Sequence, residues 1–100
     1  MKEQKNLQDA LTFPGIVPVI RLKSGEKLPR LLETFQQAGI RAVELTMTMP
    51  DAPGLLRENR RRFGDSLVIG MGTVTDEITA QQALDSGAQF LVSPFPVPAA

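Results

Sequence analysis

Apolar and polar positions along this chain fall into a pattern that repeats. Leu7, Ala10 and Leu11 share one stripe at helical spacing within residues 2–12, and Pro14-Gly15 ends that short helix. Ile16-Val17-Pro18-Val19-Ile20 is apolar throughout, which predicts a strand buried on both faces, as in parallel sheets. Pro18 argues against a central antiparallel ladder. Ser24 is placed to cap a helix running to Ala38, with Leu28, Leu31, Leu32 and Phe35 on one face and Gly39 as its terminator. The same grammar then recurs. Arg41 to Thr46 reads as a strand. Asp51 caps a helix with Pro53 in its first turn, which runs to Phe63 and closes at Gly64. Leu67-Val68-Ile69 is a third strand. Thr75 or Asp76 caps a helix carrying Ile78, Ala80, Ala83 and Leu84 and closing at Gly87, and Gln89 to Val92 is a fourth strand. Ala38-Gly39-Ile40 and Ser86-Gly87-Ala88 take matching places before strands.

Strands alternating with helices predict an α/β fold with a parallel sheet and right-handed crossovers. The unit suits either a (β/α)8 TIM barrel or an open doubly wound sheet, and both collect chemistry at the C-terminal ends of the strands. A typical barrel takes about 250 residues. With 100 residues, the expectation is either a complete small open-sheet domain or the N-terminal half of a barrel, four βα units preceded by a short helix. The half-barrel would leave two sheet edges exposed.

Composition narrows the partners. Lys+Arg and Asp+Glu number 11 each, so the formal net charge is zero and nothing favours nucleic acid or an anionic membrane. The one basic cluster, Arg57 with Arg60-Arg61-Arg62, reads as a solvated helix end whose cations complement the dipole. Cysteine and histidine are both absent, which removes disulfides, thiolate zinc sites and Cys/His nucleophile pairs. No apolar run is long enough for a membrane span, and the amphipathic start does not read as a signal peptide. The expected location is the cytoplasm, with no metal and no cofactor.

Glu44 is the residue that apolar patterning does not explain. It sits between Val43 and Leu45 inside a strand, and a buried carboxylate needs either a partner or a task. Arg21, at the exit of the preceding strand, is a possible salt-bridge partner and equally a clamp for an anionic substrate. As a general acid/base, Glu44 would gain from burial, which raises a carboxylate's pKa toward a useful range. Thr46 and Thr48 alternate with Leu45 and Met47, so Glu44, Thr46 and Thr48 are expected on one side. Gly70-Met71-Gly72-Thr73 reads either as an anion-holding turn or as a plain βα turn. It lacks the spacing of a dinucleotide fingerprint and has no phosphate-loop lysine. Ser93-Pro94 ends the fourth strand and is in part a simple terminator.

Taken in order, four segments resemble the 2-keto-3-deoxy-6-phosphogluconate / 4-hydroxy-2-oxoglutarate aldolase family. They are Gly15 to Arg21, Ala38 to Thr46, Gly70 to Val74 and Ser86 to Pro94. The resemblance implies a (β/α)8 barrel, commonly a homotrimer, and a metal-free class I aldolase. Such a lyase cleaves a 2-keto-4-hydroxy acid into pyruvate and an aldehyde through a lysine Schiff base. It implies that Glu44 transfers protons, that Gly72 and Thr73 hold the pyruvyl carboxylate and that Pro94 lines the site. Thr48 stands where many members carry arginine, and Arg21 is then the candidate to take over the anion contact. Phe95 stands where many members carry glycine. The family's Schiff-base lysine lies on the sixth strand. This chain has Lys2, Lys5, Lys23 and Lys27, none of which closes a strand in that way, so these residues alone are expected to be inactive. Two other readings stand beside this one. The first is a non-catalytic half-barrel that self-associates, or a truncated product. The second is a flavodoxin-like domain, ranked low because residues 21–26 offer Arg21, Lys23 and Glu26 in place of an acidic cluster or a phosphate loop.

Overall fold

The computed structural model describes residue 11 and residues 15–93. The expected helix over 2–12 therefore lies outside the described residues, Leu11 excepted. Three parallel strands form one sheet in sequential order: β1 (Val19–Ile20), β2 (Ala42–Thr46) and β3 (Val68–Gly72). Three helices alternate with them, α1 (Leu28–Gln37), α2 (Ala52–Phe63) and α3 (Glu77–Asp85). Register pairs Val19 with Glu44, Glu44 with Gly70 and Thr46 with Gly72. Beyond β3, the chain around Leu91 adds a parallel bridge to Met71.

Strand alternation divides the core in two. Ile20, Val43, Leu45, Ile69 and Met71 pack with Leu28, Leu32, Leu56 and Phe63 of the helices in the main core. The opposite face holds a smaller cluster in which Leu11, Val17 and Phe90 pack on Ala42 and Val68.

Several boundaries differ from expectation. β1 has two residues where five were expected. Pro18 lends its carbonyl to Glu44 N–H at 2.9 Å, but it has no N–H to return. Nor is this strand buried on both faces: Ile20 is buried, whereas Val19 is 54% and Ile16 58% exposed. Ser24 is not the cap of α1; the N-cap is Lys27 and makes no side-chain cap bond. Pro29 has no N–H to bond the carbonyl four residues back, at Gly25, so a helix reaching back to Ser24 is disfavoured and α1 starts at Leu28 with Pro29 in its first turn. Gly70, Met71 and Gly72 belong to β3 and not to a turn. The fourth strand is reduced to the single bridge at Leu91, with backbone bonds such as Gln89 N–H to Ile69 O at 2.9 Å. In α3, Ile78 and Leu84 are 71% and 50% exposed, and Ala83 is the buried residue.

The helix ends follow the sequence closely. Gly39 and Gly87 have φ of +91° and +103°. After each, the chain makes the same pair of bonds: Gly39 N–H to Gln36 O and Ile40 N–H to Phe35 O, and Gly87 N–H to Leu84 O and Ala88 N–H to Ala83 O, all at 3.0 Å. These are two Schellman closures, and each turns the chain into the next strand. Asp76 accepts from Thr79 N–H at 2.8 Å and completes a capping box. Asp51 occupies the N-cap of α2 with φ of 52°, but its side chain makes no cap bond.

Candidate active site

Glu44 lies on the face of β2 opposite the helices, and 8% of its surface is exposed. Its carboxylate leans over Gly72, where a Cβ would collide with Oε2. The phenyl ring of Phe90 lies over Gly70 in the same way. The two glycines are therefore gaps in the sheet surface that admit two larger side chains. The sequence pattern allows Gly70-Met71-Gly72-Thr73 either an anion-holding turn or a plain βα turn; it contains no signal for this packing role, because the two occupants come from other segments.

Burial is the larger influence on Glu44 and raises its pKa above the ordinary value; the Arg21 cation opposes it. Arg21 lies immediately beyond β1, next to β2, and is exposed. Glu44 and Arg21 form no ion pair; the one among the described residues joins Arg62 to Glu33 at 3.4 Å. The salt-bridge reading of Glu44 is thereby corrected to a longer-range attraction. Thr46 is fully buried, and its hydroxyl lies 2.8 Å from that of Thr48. Thr48 itself lies past the end of β2 in an exposed turn, so the strand alternation that groups it with Glu44 stops at Thr46.

Thr73 follows β3 with φ of 58°. For a β-branched residue this left-handed backbone is an outlier, and such strain concentrates at functional positions. Neither the hydropathy pattern nor the composition signals it. Pro94 and Phe95 lie outside the described residues. The structure thus brings Glu44, Gly72 and Thr73 to one end of the sheet, with Arg21 beyond the adjacent strand. A shallow groove of about 410 Å³ lined by Lys27, Arg30, Leu31 and Thr34 belongs to the helix layer and holds none of these groups. Among the described residues no group of three or more Asp, Glu, His or Cys could hold a metal ion, and no helix is long and apolar enough to cross a membrane.

Similar proteins extend the reading. The family model for KDPG and KHG aldolase matches residues 7–96. The 2-dehydro-3-deoxy-phosphogluconate aldolase of Treponema pallidum is 36% identical over 86 residues, covering 86% of this chain and 40% of that protein. The enzyme of the same name from Dickeya dadantii is 32% identical over 95 residues, covering 94% of this chain and 44% of that protein. Among solved structures, KDPG aldolase from Legionella pneumophila, with pyruvate captured as a covalent carbinolamine intermediate, superposes with a TM-score of 0.74 at 34% identity. That match covers 80% of this chain and 38% of that one. The chain thus spans less than half the length of the relatives it matches.

Proposed function

The chain belongs to the KDPG and KHG aldolase family, and from that premise we propose that its residues form the first four βα units of a (β/α)8 barrel. In this reading they supply the proton-transfer and carboxylate-binding part of a Schiff-base aldolase site. The substrate is a small 2-keto-4-hydroxy acid, cleaved to pyruvate and an aldehyde in the cytoplasm by a homotrimer of the full-length protein. The observation that carries this reading is Glu44, a buried carboxylate with a raised pKa beside the strained Thr73 turn.

The chemistry follows from the groups in place. Carbon–carbon cleavage through a Schiff base needs a base to take the substrate's hydroxyl proton and an acid to return one to the pyruvyl carbon. A carboxylate with a raised pKa exchanges protons near neutrality more readily than an ordinary one. Arg21 offers a cation for a carboxylate or phosphate, in place of the arginine that many relatives have at the position of Thr48. Gly72, the last residue of β3, and Thr73 directly after it offer the place where the pyruvyl carboxylate rests, and the family resemblance assigns Pro94 to the same site. The nucleophilic lysine is not among Lys2, Lys5, Lys23 and Lys27, so these residues require the later strands of the barrel for turnover.

Borohydride trapping with pyruvate tests this. The chain alone should give no pyruvyl adduct by intact mass. The chain extended by the remaining segment of a relative, such as the Dickeya dadantii enzyme, should be trapped on a lysine of the added segment. In that extended protein, Glu44→Gln should slow proton exchange at pyruvate C3 by about 10²–10⁴. An adduct on one of this chain's own lysines, or undiminished exchange in Glu44→Gln, overturns the proposal.

One observation favours a second reading, a non-catalytic half-barrel that self-associates. Val19 and Ile16 expose apolar surface at one sheet edge. Native mass and pyruvate trapping together distinguish the two: a folded oligomer of the isolated chain, with no pyruvyl adduct formed in the extended protein, favours the second.

A further inference from the structure

Register places Val19, Glu44 and Gly70 in one row across the sheet. The bridge between Met71 and Leu91 extends that row to Phe90. Within it Glu44 and Phe90 flank Gly70. The ring of Phe90 takes the space that the missing Cβ of Gly70 leaves. It packs below the carboxylate with Val17 and Leu11 on Ala42 and Val68, forming an apolar floor. Glu44 extends instead over Gly72, one step nearer the strand ends and the Thr73 turn. Two hydrogen bonds hold this segment in register: Met71 N–H donates to Phe90 O at 3.0 Å, and the side-chain carbonyl of the preceding Gln89 accepts from Ile69 N–H at 2.9 Å.

We propose that Phe90, seated over Gly70, is a positioning residue that directs the Glu44 carboxylate toward Gly72 and Thr73 and closes the apolar side of the site beneath it. The inference rests on the proton-transfer reading of Glu44 for its functional meaning, although the geometry is independent of it. Gly70 and Phe90 then act as a matched pair. Alanine at position 70 would push the ring into Glu44's space, whereas removing the ring would open the floor to water. Arg21 is the charged group that bears on Glu44 from just beyond the neighbouring strand, and it is unchanged in both variants.

Glutamate labelled with ¹³C at the side-chain carboxyl lets NMR follow Glu44 in the intact chain. Glu44 in the unaltered protein should titrate above the ordinary glutamate range. Phe90→Ala should bring it down into that range, and Phe90→Leu should lower it by a smaller amount. In urea unfolding, Gly70→Ala should reduce the midpoint clearly in the unaltered chain and much less in a Phe90→Ala background. Equal losses in both backgrounds, or an unchanged Glu44 titration in a folded Phe90 variant, overturn the proposal. Where Phe90→Ala does not fold, Phe90→Leu decides it, and a Glu44 titration that does not fall counts against it. Failure of pyruvate trapping in the extended protein would sink the aldolase reading and leave these measurements standing, so the two failures are distinguishable.

Discussion

At the scale of single residues, Glu44 and Thr73 each hold a conformation or a charge that the fold does not favour. Burial raises the pKa of Glu44, so the folded state prefers its neutral form. The sign follows from linkage: the stabilisation is complete below the unfolded value and is lost as pH rises through the raised folded value. The urea midpoint of the unaltered chain should therefore fall between about pH 4 and about pH 8 by the Glu44 contribution, and Glu44→Gln should remove that part of the fall. Arg21→Gln should raise the Glu44 titration further, because the cation is the opposing influence; a titration that drops would show that Arg21 does not act on it. Thr73→Gly sets two effects against each other. Relief of the left-handed backbone is worth about 1–2 kcal/mol, and the added freedom of the unfolded chain costs about 0.4–1 kcal/mol. The variant should be more stable by up to roughly 1.5 kcal/mol while holding the pyruvyl carboxylate less well. A loss of stability in urea unfolding would remove the argument that Thr73 is strained. Glu44 was legible in the sequence because a carboxylate breaks an apolar run. The Thr73 strain was not, since residue identity alone does not encode a left-handed φ.

At the scale of elements, legibility depends on how local the controlling interactions are. Both Schellman closures could be read ahead of the structure, because a glycine after a helical stripe supplies its own geometry. A cap at Thr75 or Asp76 could be read too; the structure selects Asp76, whose capping-box partner Thr79 is three residues away. The extents of β1 and of the segment around Leu91 could not be read in this way. A strand is defined by its neighbours, and Pro18 and the single Met71–Leu91 bridge limit pairing in ways that hydropathy does not record. The late start of α1 was available in principle from Pro29, but the Ser24 cap signal competed with it. Two predictions belong at this scale. Gly39→Ala must hold φ of +91° with a Cβ, so it should lose about 1–2 kcal/mol. Leu56→Ala removes a fully buried side chain between α2 and the sheet and should cost about 2–5 kcal/mol. Both are checked by chemical denaturation, and a near-neutral Leu56→Ala would mean that α2 does not pack on the sheet in solution.

For the whole molecule, the two faces of the sheet differ in how they are covered. One carries three helices and the main core; the other carries a small cluster, the Glu44 carboxylate and the half-exposed Val19. The alternating pattern predicts the parallel sheet but not this asymmetry, since runs such as Ile16 to Ile20 are apolar whichever face is covered. In a closed barrel the second face lines the interior, and the exposed β1 edge meets the last strand. Val19 and Ile16 are exposed beside an edge of β1 that pairs with no other strand among the described residues, which is the geometry that recruits other chains. Sedimentation of the isolated chain at rising concentration should therefore show association, together with binding of a hydrophobic dye. Val19→Lys places a charge on that edge at a position already half exposed, so it should suppress association while leaving helix content and urea midpoint nearly unchanged. In the protein extended through the remaining strands, the same substitution should instead destabilise, because Val19 would then be enclosed. A chain that stays monomeric and dye-free at high concentration would contradict the open half-barrel, and a Val19→Lys variant equally tolerated in both contexts would contradict closure of the barrel over β1.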